Sequence, residues 1–264
     1  MTDRLAMLHD WLRVDLGMTS YELLPASADA SFRRYYRLVL AKQTRIVMDA
    51  PPDKEDCRLF LDVTKRLLTA GVNAPRVFAQ DLDRGFLLLS DLGTKLYLSE
   101  LDENKADTLY GDAMAALLKM QSAAPLAHLP PYTESLLMQE MGLFRDCLLG
   151  THLHLALADE SLEQLQALFV YLAESALSQA QVFVHRDFHS RNLILNTDNP
   201  GIIDYQDAVL GPVTYDLVSL LKDCYIKWPQ SKVEQWRRQY HQQLQDVIGV
   251  KVSGEEFKRW FDLM

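Results

Sequence analysis

The run Val182-Phe183-Val184-His185-Arg186-Asp187-Phe188-His189-Ser190-Arg191-Asn192-Leu193-Ile194-Leu195, followed by Ile202-Ile203-Asp204-Tyr205-Gln206-Asp207, decides how this chain is read. The apolar runs are short and β-rich, and Thr197-Asp198-Asn199-Pro200-Gly201 between them is a strong turn signal. The pattern predicts a hairpin. Asp187 and Asn192 fall in the loop entering its first strand, and Asp204 falls at the end of the second. A hairpin returns the chain beside itself, so Asp204 comes back near Asn192 and Asp187. Two carboxylates and an amide oxygen then meet at one mouth. Mg²⁺ takes such hard oxygen donors and keeps several waters. A carboxylate left off the metal can orient a hydroxyl and accept its proton. This equipment suits phosphoryl transfer, in which the protein mainly positions groups and neutralises charge.

Outward from the hairpin, the chain changes character once. Residues 3–17 read as a helix, with Thr2 as its cap, leucines at 5, 8, 12 and 16, and Gly17 as its stop. Strand-like runs follow at Tyr21–Leu24, Arg34–Leu40 and Arg45–Asp49, with a small polar loop, residues 27–32, between the first two. Glu55–Ala70 reads as a helix, and Arg76–Ala79 and Gly85–Leu89 as two more strands. Long Leu- and Ala-rich helical patterns then cover 105–123 and 158–181, and helices resume after the hairpin at Asp216–Lys227 and Ser231–Ile248. The expected fold class is α+β and bilobal. Its parts are a small mixed lobe over 1–90, a linker at 91–95, and a mostly helical lobe over 96–264 that carries the catalytic hairpin at 182–207.

The composition narrows the function classes. The 264 residues carry 27 basic and 36 acidic side chains, a net charge of −9. Nucleic acids and anionic membranes call for a basic footprint, so neither is an expected partner. The start, Met1-Thr2-Asp3-Arg4-Leu5, opens a charged amphipathic stretch rather than an apolar leader. No run reaches the roughly 18 apolar residues of a membrane span. Cys57, Cys147 and Cys224 form no CxxC and suit the reduced thiols of a cytoplasm.

His185-Arg186-Asp187, with Asn192 five residues after the Asp, resembles the kinase catalytic loop H-R-D-x-x-x-x-N. Asp204 stands where the kinase D-F-G aspartate would stand, with Tyr205-Gln206 replacing Phe-Gly. With Gly211-Pro212-Val213-Thr214-Tyr215-Asp216-Leu217 downstream, this resembles the aminoglycoside phosphotransferase and choline kinase-like family. Three further stretches are similar to the bacterial anomeric kinases of N-acetylmuramate and N-acetylglucosamine, which use ATP in a cell-wall recycling route. They are Ser27 to Tyr35, Ile46 to Pro52 and Leu88 to Gly93.

The resemblance implies a kinase-like fold, with ATP, Mg²⁺ and a small-molecule sugar as ligands. It implies Asp187 as the catalytic base or orienter of the sugar hydroxyl, and Asn192 and Asp204 as Mg²⁺ ligands. Residues 27–34, among them Ser31, Phe32, Arg33 and Arg34, would cover the ATP phosphates. Ser90, Asp91 and Leu92 would form the hinge that touches adenine through backbone groups. His185 and Asp216 would be structural supports. His189 is a substrate contact or packs the loop, and Asp207 is a supporting acid or a substrate contact. Two departures stand out. The third-strand lysine that pairs the α- and β-phosphates is replaced within Ile46-Val47-Met48-Asp49, so Arg33 or Arg34 is expected to supply the charge, and Arg33 is favoured. The relatives also carry further helices after the pattern that closes this chain at Phe257–Met264.

Other readings remain. A kinase fold that only binds nucleotide is motivated by Met48. Aminoglycosides or choline are alternative acceptors. His185-x-Asp187-x-His189 invites a metallohydrolase, although the other His pair, His152-x-His154, has a spacing that turns the rings apart on a helix.

Overall fold

The computed structural model describes residues 4–28 and 32–264. Thr2, the expected cap, and Ser31 lie outside them. Helix α1, Arg4–Asp10, widens into a π-helical turn, Trp11–Asp15, before Gly17 stops it at φ 65°. Strands β1 (Glu22–Ala28), β2 (Arg34–Val39), β3 (Thr44–Asp49), β4 (Val77–Asp81) and β5 (Phe86–Ser90) form an antiparallel sheet in the order β1-β2-β3-β5-β4. Helix α2, Cys57–Thr69, enters between β3 and β4, and the Asp56 side chain caps it by accepting from the Arg58 N–H. Strand β1 runs through Ser27 and Ala28, past the expected start of the polar loop, because a register shift between Pro25 and Ser27 keeps the pairing with β2.

Strand alternation sorts the sheet into two faces. Leu38, Val47, Phe86 and Leu88 point to one side, where Leu8, Trp11 and Leu12 cover them. Met48, Leu87 and Leu89 point to the other, against Phe60, Val63 and Leu67 of α2. Gly85 turns β4 into β5 at φ 74°; a Cβ there would lie 1.9 Å from the Ala50 carbonyl oxygen, so only glycine fits.

After residue 90 come α3 (Tyr97–Glu100), α4 (Ala106–Ala123), α5 (Glu134–Leu143) with a π-helical continuation Phe144–His152, and α6 (Asp159–Leu177). The expected α-helical surroundings of His152 are therefore π-helical. Strand β6 (Gln181–Val184) pairs with β9 (Val209–Pro212), and between them β7 (Leu193–Ile194) pairs with β8 (Gly201–Ile202) as the predicted hairpin. Helices α7 (Tyr215–Leu221), α8 (Gln230–Ile248) and α9 (Gly254–Leu263) follow. The expected helix 216–227 ends at Leu221. Beyond it the Asp223 carboxylate accepts the Tyr225 N–H, closing a turn instead of extending the helix. Among the described residues no helix is long and apolar enough to cross a membrane.

One bond joins α2 to the hairpin. Tyr205 is fully buried, stacks on Phe60 at 5.1 Å, and its hydroxyl lies 2.9 Å from Thr64 Oγ1. The Thr64 hydroxyl donates to the Phe60 carbonyl at 2.7 Å, so Tyr205 is the donor to Thr64. Thr64→Val should cost about 1–3 kcal/mol, because it leaves the Tyr205 hydroxyl buried without a partner. Adding Tyr205→Phe should recover part of that loss. Urea denaturation of both single variants and the double variant checks this, and strictly additive losses would disprove the bond's contribution.

Candidate active site

The segment between β6 and β7 is shaped from beneath by Asp216 of α7. This carboxyl is fully buried and accepts the backbone N–H groups of His185 (2.7 Å) and Arg186 (3.0 Å). Burial pushes its pKa up to about 7, against the opposing pull of those two donors. His185 is also fully buried. Its Nε2 faces the Ile203 carbonyl at 3.1 Å, and its Nδ1 faces the Asp187 N–H at 3.2 Å. The ring therefore donates through Nε2 and accepts at Nδ1. Burial holds its pKa down to about 3, so it stays neutral. With both nitrogens engaged, His185 has no lone pair to offer a metal, which removes the basis of the metallohydrolase reading.

Asp187, Asn192 and Asp204 come together as the hairpin argument requires. Asn192 Nδ2 donates to the Asp187 carbonyl at 3.0 Å and approaches Asp204 Oδ2 at 3.4 Å. The Ile203 N–H donates to the Asn192 carbonyl at 3.1 Å, which ties the two strands at this level. Gln206 Nε2 donates to Asp204 Oδ1 at 2.9 Å. Burial, then the charge of Asp204, pushes the Asp187 carboxyl above the ordinary aspartate range. Two half-buried carboxylates beside the Asn192 side chain, one of them held above its ordinary pKa, are a donor set that a divalent cation would relieve. Among the described residues no group of three or more His, Cys, Asp and Glu side chains is placed to hold an ion. Any ion held by Asn192 and Asp204 would therefore complete its shell with other oxygens. Arg186 and Asp204 both hold positive φ, 78° and 65°, conformations that L-residues other than glycine rarely adopt.

Arg186 is tied down. Its guanidinium pairs with Glu140 of α5, reaches the Asp207 carbonyl at 3.4 Å and lies 5.7 Å from the Tyr132 ring centre. Asp207 itself is exposed. His189 packs edge-on against Tyr225, 5.4 Å between ring centres, and its buried Nδ1 has no hydrogen-bond partner.

The expected nucleotide residues divide. Arg33 makes an ion pair with Glu55 at 2.7 Å, both side chains mostly buried. Tyr35, two residues on, packs with the Met48 side of the sheet, so alternation sets Arg33 on that side. Arg34 shares the α1 side with Tyr36 and Leu38, and it is exposed. Arg33 and Arg34 thus stand on opposite faces of the sheet. Phe32 is exposed, with Lys54 Nζ 5.8 Å from its ring centre. Ser90 is engaged with Arg76, donating its N–H to the Arg76 carbonyl and accepting the Arg76 N–H at Oγ, each 2.8 Å. The Leu92 carbonyl accepts from Asn196 Nδ2 at 3.2 Å. These two backbone groups of the expected hinge are thus already used. Asp91 turns its side chain onto Arg37 Nε at 2.6 Å and the Gly93 N–H at 2.9 Å. Burial raises its pKa, but those donors outweigh it and hold the carboxyl below the usual range.

Sequence reasoning missed Glu55, Arg37, Glu140 and Asp223. Each acts on a partner far away in the chain, and none belongs to a motif. Asp223 is buried and accepts both the backbone N–H and the hydroxyl of Ser190, so it clamps the loop from the α7 end.

Asp216→Asn should destabilise the protein by about 1–3 kcal/mol, since an amide NH₂ then faces one of two buried N–H donors. Turnover should fall as well, because Arg186 loses the bond that holds its left-handed backbone. Chemical denaturation together with a rate assay on the folded variant checks both. Unchanged stability would mean that Asp216 does not organise the loop.

Comparison with known proteins bears on the family and the fold. The model of the family described as "Phosphotransferase enzyme family" matches residues 22–255. The N-acetylmuramate/N-acetylglucosamine kinase of Pseudomonas putida is 47% identical over 255 residues, which is 96% of this chain and 74% of that protein. The kinase of the same name from Pseudomonas aeruginosa is 46% identical over 244 residues, 92% of this chain and 72% of that one. Among solved structures, the ADP-bound aminoglycoside phosphotransferase APH(2'')-Ib superposes with a TM-score of 0.64 at 17% identity, covering 98% of this chain and 97% of that one. The kinase-like α+β fold and the matched family together establish that this chain belongs to the phosphotransferase enzyme family.

Proposed function

We propose that the enzyme transfers the γ-phosphoryl group of ATP to the anomeric hydroxyl of N-acetylmuramate or N-acetylglucosamine, in the cytoplasm, as a step of cell-wall recycling. The observation that carries the reading is the meeting of Asp187, Asn192 and Asp204 at one mouth. The names of the relatives at 46–47% identity support the acceptor. In this reading the sheet of residues 1–90 covers the nucleotide, residues 91–95 link, and the helical remainder carries the chemistry. Adenine recognition falls to hinge groups other than the Ser90 N–H and the Leu92 carbonyl.

The roles follow from the atoms present. Asp187, with its raised pKa, accepts the proton of the sugar hydroxyl as the hydroxyl oxygen attacks the γ-phosphorus; the bond to the β–γ bridging oxygen breaks and ADP leaves. Asn192 Oδ1 and Asp204 would hold Mg²⁺, which supplies charge neutralisation at the phosphates when bound. Gln206 and Asn192 hold the Asp204 carboxylate in place. Asp207 and His189 are close enough to interact electrostatically with Asp187, and in this reading they are the residues that would meet the acceptor.

Incubation with MgATP and a panel of N-acetylated sugars, amino sugars, choline and aminoglycosides, with products identified by mass and phosphorus NMR, tests the proposal. A phosphorylated N-acetylated sugar is expected, and turnover of an aminoglycoside or choline alone would overturn it. Asp187→Asn should lower kcat by roughly 10²–10⁴-fold with little effect on ATP affinity; near-normal turnover would remove Asp187 from the chemistry.

The α- and β-phosphates need a cation, and Met48 cannot supply one. Arg33 stands on the sheet side of Met48, held by Glu55. Arg33→Ala should raise the KM for ATP roughly ten- to a hundredfold. Arg34→Ala, on the opposite face, should change it little. Titration of both variants with ATP distinguishes them, and equal effects would place the phosphate cation elsewhere.

A further inference from the structure

An acceptor that bears a carboxylate meets a site rich in negative charge. Asp187, Asp204 and Asp207 lie around the catalytic loop, Glu140 lies behind Arg186, and the chain carries a net charge of −9. N-acetylmuramate differs from N-acetylglucosamine by a carboxylate-bearing ether substituent, so binding the first as well as the second requires a cation on the acceptor side. The catalytic loop offers two arginines. Arg186 is committed to Glu140, the Asp207 carbonyl and the Tyr132 ring. Arg191 is exposed and, among the described residues, makes no ion pair; its guanidinium lies 4.9 Å from the ring centre of Tyr225.

That ring is itself held in place. The Tyr225 N–H donates to the Asp223 carboxylate at 2.9 Å, and the same carboxylate accepts the Ser190 N–H at 3.0 Å and the Ser190 hydroxyl. Tyr225 also packs on His189, two residues from Asp187. The turn that starts at His189 and closes with the Asn192 N–H on the His189 carbonyl is thus fixed to residues 223–225, within the catalytic loop that carries Asp187. A guanidinium stacked on an aromatic face keeps its N–H edge free for a carboxylate, and stacking reduces the side-chain entropy that a bound anion would otherwise have to remove.

We infer that Arg191, held on the Tyr225 ring, is the specificity residue that pairs with the carboxylate of an anionic acceptor. The inference rests on the acceptor class proposed above. Tyr225 is a positioning residue, and the Asp223 carboxylate that binds both Ser190 and Tyr225 ties the two segments that carry the cation and its ring together.

The test compares kcat/KM for N-acetylmuramate and N-acetylglucosamine in the full chain with MgATP, alongside calorimetric binding of each sugar. Arg191→Met should lower the ratio of the two kcat/KM values, carboxylate acceptor over neutral, by about tenfold, mostly through KM. Arg191→Lys should recover part of the ratio, because a point charge replaces the planar fork. Tyr225→Ala should lower the same ratio by less, while Tyr225→Phe, which keeps the ring, should not. These side chains are exposed, so the variants should fold; a thermal melt of each confirms it. If wild-type protein uses both sugars and Arg191→Met leaves their ratio unchanged, or lowers both equally, the inference is overturned and the proposed function stands. If wild-type protein neither binds nor phosphorylates either sugar, the proposed function falls and this inference falls with it.

Discussion

The site depends on one buried carboxylate taking two consecutive backbone N–H groups. Asp216 sits inside the first turn of α7, with no exposure to solvent, and the His185 and Arg186 amides converge on it. Consecutive N–H groups point to one side only if the chain turns sharply, and Arg186 turns at φ 78°. A left-handed conformation costs about 1–2 kcal/mol for an L-residue. Two charge-assisted bonds in a dry site can offset that. The turn then carries Asp187 away from the direction of β6 and out to the mouth where Asp204 arrives. His185 acts in the same direction, since its Nδ1 accepts the Asp187 N–H while its Nε2–H reaches the hairpin at Ile203.

From that anchor, polar bonds tie the remaining elements to the loop at single points. Asp223 holds Ser190 from the C-terminal side of α7. Arg186 reaches Glu140 of α5, so the loop and that helix share an ion pair. Thr64 of α2 meets Tyr205, the residue after Asp204, which links the helix behind the sheet to the hairpin. Arg37 of β2 grips Asp91, the first residue after β5. Each tie joins residues far apart in sequence. The Thr64–Tyr205 and Asp223–Ser190 ties are buried, where an unmade bond is costly, whereas Arg186 and Glu140 both keep about a quarter of their side chains exposed.

The legible part of this molecule was local. The hairpin showed as two β-rich runs around a turn tripeptide of Asp, Asn and Pro, and so did the proximity of Asp187, Asn192 and Asp204. Helix α2 showed in its spacing and in Gly71. Strand β9 did not show: Val209-Leu210-Gly211-Pro212 is short, contains the two residues least suited to strands, and is a strand because β6 pairs with it. The end of α7 was overrun for a related reason, since helical spacing continues past Leu221 and only the Asp223 turn opposes it. Partners such as Glu140 and Glu55 leave no local trace, because an acidic residue on a helix or before one is ordinarily a solvated charge.

The absent third-strand lysine follows the same logic of faces. Met48 points to the α2 side of the sheet, fully buried among the apolar side chains of that layer. A lysine there would need a carboxylate to offset its desolvation, and the nearest acidic residue on the strand, Asp49, points to the other face, where it pairs with Arg4. The strand alternation that denies Met48 a partner gives Arg33 one. Arg33 lies across the sheet on the Met48 side, and Glu55, just before α2, holds its guanidinium. In the proposed reading the cation that faces the phosphates is therefore Arg33, held by Glu55, rather than a residue of β3. An arginine suits that proposed role, because its fork can hold Glu55 on one edge and present N–H donors on another, which a lysine cannot do with the same fixed geometry.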